Sequence, residues 1–227
     1  MRIRWLPIPD GDATQDNTMA VLKKKQSYGP DVVLIDGRLV EKTYRRRIWP
    51  VRLIGRVLIA WEAFIYHKLS GLSGIPRLVD RPDRQTILTT YMGGENLRET
   101  LARPDAAYFE KMAGIIKSMH ARGVIHLDLR NRRNYGRNEA GEPYLVDFAS
   151  ALYIPWDGTL RKLIARLDWL GFVKVKAKLA PELLSTREHH RYRLGETLSA
   201  VWLPTKTFNA LKELIRFVKR SFPGRGL

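Results

Sequence analysis

A chain of 227 residues, 44% of them hydrophobic, can bury a sizeable core, which excludes general disorder. The absence of cysteine excludes a disulfide scaffold, thiolate metal sites and a cysteine nucleophile. A formal net charge of +17 favours anionic partners: nucleotides, phospholipid headgroups, phosphorylated glycans or RNA.

That charge is unevenly spread. Lys and Arg outnumber Asp and Glu by 12 to 6 over residues 1–56, by 13 to 11 over 57–152 and by 15 to 6 over 153–227. The middle is close to neutral and the flanks hold the excess. At the N-terminus, MRIRWLPIPDGDATQ lacks the apolar core of a signal peptide. VLIAWEAFIY (57–66) is too short to span a bilayer and carries Glu62. The expectation is a soluble, cytoplasmic protein, with attachment to the cytoplasmic face of a membrane left open.

In chain order, MAVLKKK (19–25) and DVVLI (31–35) are short β-type runs, and DGRLVEKTY continues them with Asp36-Gly37 as a hairpin turn. A helix follows over roughly residues 51–69, closed by Ser70-Gly71, and then QTILTTYM (85–92) reads as a buried strand stopped by Gly93-Gly94. Asp105 caps a second helix whose apolar stripe is Tyr108, Phe109, Met112, Ile115, Ile116 and Met119, with Gly123 as its stop. From about Leu160 the pattern is helical to the end, broken at Pro181 and Pro204. A β-rich first lobe (1–92) joined by Gly93-Gly94 to a helical second lobe (93–227) gives an α+β fold with a cleft at the joint, where ligands sit.

The chemistry concentrates in VIHLDLRNRRNYGRNEAGEPYLVDFAS (124–150). DLRNRRN is too polar to be buried and reads as a loop, while the short apolar runs VIH and YLVD bring Asp128 and Asp147 to one side with Asn134 between them. Carboxylate and amide oxygens form a hard donor set that suits Mg²⁺ together with substrate phosphates. The second carboxylate is left to accept a proton from an attacking hydroxyl, and Arg130 can reach a transferring phosphoryl group. Glu62 lies in an almost wholly apolar helical stretch, where an unpaired carboxylate is costly. Lys42, in the strand before it, is its expected partner.

HLDLRNRRN followed by VDFA resembles the catalytic loop and metal-binding strand of protein-kinase-like phosphotransferases. The resemblance implies a two-lobed kinase-like fold, with ATP and Mg²⁺ (or Mn²⁺) as cofactors. It implies Asp128 as catalytic base, Asn134 and Asp147 as metal ligands and Arg130 in the place of the catalytic-loop lysine. The loop is one residue longer than usual between Asp128 and the amide, so Asn131 rivals Asn134. Lys42 and Glu62 resemble the kinase pair that holds the α- and β-phosphates. Gly29, in SYGPDVV, resembles the end of a phosphate loop or a plain turn. ILTTYMGG is similar to a hinge strand, with Thr89 near the gatekeeper place and the backbone of Thr90, Tyr91 and Met92 offered to adenine. His126 braces the loop, and Asp168 looks like the helix aspartate that ties it down.

Leu127 stands where an arginine reads activation-loop phosphates, and Asp168 follows Asp147 closely, so no long activation segment fits between them. Ala180-Pro181-Glu182 mimics a substrate-segment motif but lies beyond Asp168. This compact pattern resembles the RIO-type atypical kinases and the bacterial lipopolysaccharide core (heptose and Kdo) kinases, over residues 20–175. The acceptor is a hydroxyl on a lipid-linked glycan or a protein Ser/Thr. KTYRRRIWPVRLIGR (42–56) and FNALKELIRFVKRSF (208–222) are basic stretches with aromatic and aliphatic residues, and the apolar face of the second suits a membrane-surface helix meeting anionic headgroups. RNA is a less favoured partner, since no RNA-binding fingerprint is present. A nucleotide-binding pseudokinase scaffold is the alternative from another class.

Overall fold

The structure, a computed structural model, describes residues 20–21, 28–100, 103–190 and 192. The run 208–222 and Pro204 lie outside the described residues.

Strands β1 (Ala20–Val21), β2 (Asp31–Ile35) and β3 (Leu39–Thr43) pair antiparallel in succession. The β2–β3 turn follows from Asp36-Gly37. Both residues take left-handed φ (50° and 64°), and the Arg38 N–H reaches the Ile35 carbonyl at 3.1 Å, the turn geometry that matches strand twist. Helix α1 (Trp49–Lys68) begins two residues before the expected start, with Pro50 in its first turn, where no intrahelical N–H is needed. Its inward face carries Val51, Ile59, Glu62, Ile65 and Tyr66.

Two strands follow α1, not one. β4 (Leu78–Asp83) and β5 (Thr86–Thr90) complete a five-stranded sheet in the order β1-β2-β3-β5-β4. LVDRPD carries no β pattern because it is an edge. Its charges and proline suit a strand with one unpaired side, and its pairing slips twice, after Leu78 and after Asp80. The apolar QTILTTYM lies inside the sheet instead, between β3 and β4.

Past Gly93-Gly94 come β6 (Glu95–Asn96) and helix α2 (Ala106–Ala121), whose N-cap Asp105 accepts the Tyr108 N–H at 2.8 Å. Its stripe is buried at Tyr108, Phe109, Met112, Ile116 and Met119, with Ile115 packed at the margin. β7 (Val124–Ile125) pairs with β10 (Leu152–Tyr153), and β8 (Tyr135–Arg137) lies between β6 and β9 (Pro143–Leu145). Helix α3 (Thr159–Leu179) starts soon after β10, so the connection from Asp147 is short. Its Phe172 ring meets Phe109 of α2 at 6.0 Å. One apolar cluster, from Val51 and Ile87 through Met112 to Phe148 and Phe172, joins the sheet side to the helical side. This is the two-lobed protein-kinase-like α+β fold, without a long activation segment.

Candidate active site

Lys42 occupies the middle of β3, paired across to Val32 on one side and Ile87 on the other. Its ammonium is shared by two carboxylates. Nζ lies 2.9 and 2.7 Å from the two oxygens of Glu62 on α1, and 2.8 Å from Asp147 Oδ1. The Glu62 side chain is 2% exposed and that of Asp147 37%, so the cluster runs from the core out to the cleft surface. The amide of Phe148 also faces the Glu62 carboxylate. Burial works to neutralise Lys42, but Asp147 and Glu62, with Tyr66 behind them, outweigh it and hold its pKa well above the ordinary value. Burial pushes Glu62 upward, and Lys42 opposes that. Lys42 is therefore a charged ammonium, held by two anions.

Tyr66, one helical turn after Glu62, stacks edge-on against Phe148 at 5.3 Å, with its hydroxyl beside the Asp147 backbone. Burial drives this hydroxyl far above the ordinary tyrosine range, so it stays neutral. Asp147 itself has left-handed φ of 68°, uncommon for a residue with a Cβ. Lys42 and the buried Phe148 hold it there.

The loop after β7 is fixed from below by Asp168 of α3. Asp168 Oδ2 accepts the His126 N–H at 2.7 Å and the His120 Nε2–H at 2.8 Å, and Oδ1 accepts the Leu127 N–H at 2.7 Å. Leu127, whose φ is 63°, could not hold this turn without those bonds. His126 is fully buried, and its Nε2–H donates to the Val146 carbonyl at 3.1 Å, tying the loop to the segment between β9 and Asp147. Tyr135 donates its hydroxyl to the Leu129 carbonyl. Gly171 lets α3 approach: a Cβ there would come within 2.8 Å of the Arg130 amide nitrogen.

Asp128 faces the two amides that the sequence leaves as rivals. Asn134 Nδ2 donates to both Oδ2 and the backbone carbonyl of Asp128, each at 3.0 Å. With its nitrogen engaged, the oxygen of this amide is the group left for a cation. Asn131 also reaches Asp128 Oδ2, at 3.3 Å, but its oxygen caps the 3₁₀ turn Arg132–Asn134 by accepting the Arg133 N–H. The Val146 N–H donates to the Asn134 carbonyl at 3.0 Å, so the Asn134 and Asp147 segments are held side by side. Two oxygen donors fit Mg²⁺, which binds through one or two carboxylates and completes its shell with phosphates and water. Among the described residues no cluster of three acidic or histidine side chains offers a site made of protein alone. Arg130 lies on the exposed side of this loop.

Two of the expected nucleotide-contacting segments already carry bonds within the protein. Of the Thr90–Met92 backbone, the Thr90 N–H is bonded to the Arg77 carbonyl at 2.9 Å and the Tyr91 N–H to the Arg38 carbonyl at 2.7 Å. Strand pairing extends that far, so neither amide is offered to adenine. The Met92 N–H has no backbone partner among the described residues. Gly29 lies in a turn that is held from within the protein. Its carbonyl accepts the buried Arg47 Nε–H at 2.7 Å, and Arg47 also pairs with Asp31. The turn is anchored downward by Arg47, and residues 22–27 before it lie outside the described residues.

Sequence reasoning missed His120, Tyr66, Arg47 and Gly171. His120 was findable, because it follows Met119 at the edge of the buried stripe of α2, where a polar ring needs a partner. Arg47 sits inside a run of three arginines, and nothing local marks it as the buried one.

No family model and no curated protein matches the sequence. Among solved structures, the chain is similar to the Rio2 kinase of Chaetomium thermophilum. In its ADP/Mg²⁺–phosphoaspartate complex the TM-score is 0.57 and the identity 16%, over 91% of this chain and 71% of that one. A second structure of Rio2 kinase from the same organism gives 0.56 and 16%, over 91% and 73%. At this identity the likeness establishes the fold, which is that of an atypical protein kinase.

Proposed function

We propose that the chain is an ATP- and Mg²⁺-dependent phosphotransferase that moves the γ-phosphoryl group to a hydroxyl. The observation that carries this reading is the convergence of Lys42, Glu62 and Asp147 beside the Asp128–Asn134 pair, drawn from β3, α1 and two loops. The Rio2 kinase solved with ADP and Mg²⁺ supports it. In this reading the lobes divide at Met92–Gly93, and adenine meets the hinge at Met92.

Lys42 orients the α- and β-phosphates and is itself oriented by Glu62. Asp147 and Asn134 hold Mg²⁺ (or Mn²⁺), which when bound neutralises charge on the phosphate oxygens. Asp128 accepts the proton of the attacking hydroxyl, and Asn134 Nδ2 keeps its carboxylate facing the cleft. Arg130 stabilises charge on the transferring group. His126 and Asp168 position the loop.

The acceptor is a sugar hydroxyl of a lipid-linked glycan, with a protein Ser/Thr as the second candidate. The basic flanks support the first, because they suit peripheral contact with an anionic leaflet. Radiolabelled ATP incubated with the protein and either a cell-envelope fraction or a soluble protein fraction tests this reading. Label in the envelope fraction that disappears with Asp128→Asn supports a glycan acceptor. Label in protein alone moves the assignment to Ser/Thr. Mg²⁺-dependent nucleotide binding with no turnover at all identifies a pseudokinase. Tight salt-sensitive binding to RNA or ribosomal particles in preference to vesicles would replace the membrane reading.

A further inference from the structure

Helix α1 is apolar on two sides, and the core uses only one. Val51, Ile59 and Ile65 face inward, while Trp49, Leu53 and Val57 project into solvent at 76, 55 and 67% exposure. At 100° per residue these three positions fall within about 80° of each other, on one outward stripe. Scattered exposed apolar residues are ordinary, but three large ones in register along one helix face form a patch. A hollow of about 650 Å³ adjoins the stripe, lined by Arg56, Val57 and Ala60 from α1 and by Arg81, Asp83 and Arg84 from the β4–β5 corner. Its one carboxylate, Asp83, is engaged by Arg45. Arg56, Arg81 and Arg84 make no ion pair among the described residues.

We propose that this outer face of α1, with the β4–β5 corner, docks the protein onto an anionic phospholipid bilayer. Trp49, Leu53 and Val57 enter the boundary between headgroups and acyl chains, and Arg56, Arg81 and Arg84 meet lipid phosphates. Protruding apolar side chains bordered by unneutralised guanidinium groups are what an interfacial helix presents, since the arginine stems cover apolar surface while the heads stay at headgroup level. Charge decides among the occupants. A second copy would bring the same guanidinium groups against these. Residues 193–227 of this chain carry seven Lys or Arg against two Glu, so their charge does not complement the hollow either. A bilayer rich in anionic lipid complements it.

The inference deepens the peripheral attachment proposed above by naming the surface, and it does not depend on phosphotransfer. The chain has no cysteine, so Leu53→Cys gives a single labelling site for an environment-sensitive fluorophore, with Lys117→Cys on the exposed side of α2 as the control. The probes used are vesicles of phosphatidylcholine with and without phosphatidylglycerol. With anionic vesicles, the label at position 53 shifts to shorter wavelength and brightens, and the label at 117 does not. The combined variant Arg56→Glu, Arg81→Glu, Arg84→Glu weakens binding about a hundredfold, from the loss of three guanidinium contacts with an anionic leaflet. Its melting temperature and nucleotide affinity stay unchanged, because none of the three residues contributes to the site. Vesicle binding with a silent label at 53 overturns this surface while leaving membrane attachment standing, and no binding at low salt overturns both. A label at 53 that is already shielded without vesicles, or a self-association that the combined variant abolishes, shows that protein covers the stripe and also overturns the proposal.

Discussion

Lys42 Nζ bonds Asp147 Oδ1 at 2.8 Å, joining two residues 105 positions apart in the sequence. The same nitrogen holds Glu62, so one cation balances two carboxylates at the junction of sheet, helix and loop. In the proposed reaction Lys42 turns to phosphate oxygens and Asp147 to the metal, each exchanging a protein partner for a substrate one. The pair is therefore both a structural clamp and the place where nucleotide binding is read.

Lys42→Met leaves Glu62 buried without a cation and is expected to cost about 3–5 kcal/mol of stability, together with nucleotide affinity. Glu62→Gln is milder, because Asp147 still neutralises Lys42. Thermal unfolding and nucleotide titration of both variants check the order. Equal melting temperatures for wild type and Lys42→Met would show that the cluster is not desolvated.

Asn134→Ala should weaken Mg²⁺-dependent nucleotide binding more than Asn131→Ala, and Asp147→Ala should remove it. The reason is geometric: the Asn131 oxygen is spent on the Arg133 N–H, whereas Asn134 gives only its nitrogen to Asp128. Isothermal titration with Mg²⁺ and a non-hydrolysable ATP analogue reads the ranking. The reverse order would make Asn131 the ligand.

Asp168→Ala strips the acceptor from the His126 and Leu127 amides and from His120. Each buried N–H left without an acceptor costs on the order of 1–3 kcal/mol, and Leu127 loses what holds its left-handed backbone. Hydrogen exchange should rise at 126–128, with turnover falling more than nucleotide affinity.

Stability should collapse on the alkaline side. Burial pushes Tyr44 and Tyr144 up to about 12, and Tyr66, Tyr108 and Tyr135 higher, against 10.0 for a free phenol. A folded pKa above the unfolded one means stability is complete below pH 10 and is lost as the unfolded chain ionises first. Lys42, also raised, has the same sign. Each such group removes about 1.4 kcal/mol per pH unit above pH 10, so the melting temperature should be flat from pH 7 to 9 and fall steeply between 10 and 12.

The parts of the site that repeat a local pattern could be read in the sequence. Asp128, Asn134 and Asp147 lie within one stretch of loop and strand, and Glu62 stands out because its neighbours are apolar. The helix spanning 51–69 and the Asp105 cap follow from periodicity and from one polar side chain at the right place. Features set by distant neighbours stayed hidden. β4 looks like a loop because an edge strand tolerates proline and charge, and Arg47 looks like its two exposed neighbours until Gly29 and Asp31 surround it. The pairing of the Tyr91 N–H with the Arg38 carbonyl stayed hidden too, because it depends on how far the hairpin reaches.

The central claim is that Asp128 accepts a proton in phosphoryl transfer from ATP. The most direct measurement is single-turnover consumption of γ-labelled ATP with Mg²⁺, comparing wild type with Asp128→Asn at matched nucleotide occupancy. The substituted amide can still accept the Asn134 bond, so the fold and the nucleotide site persist. Loss of the base should slow transfer by about 10²–10⁴-fold with nucleotide affinity unchanged. Equal rates for the two proteins, or a wild type that binds ATP and never turns it over, would contradict the claim.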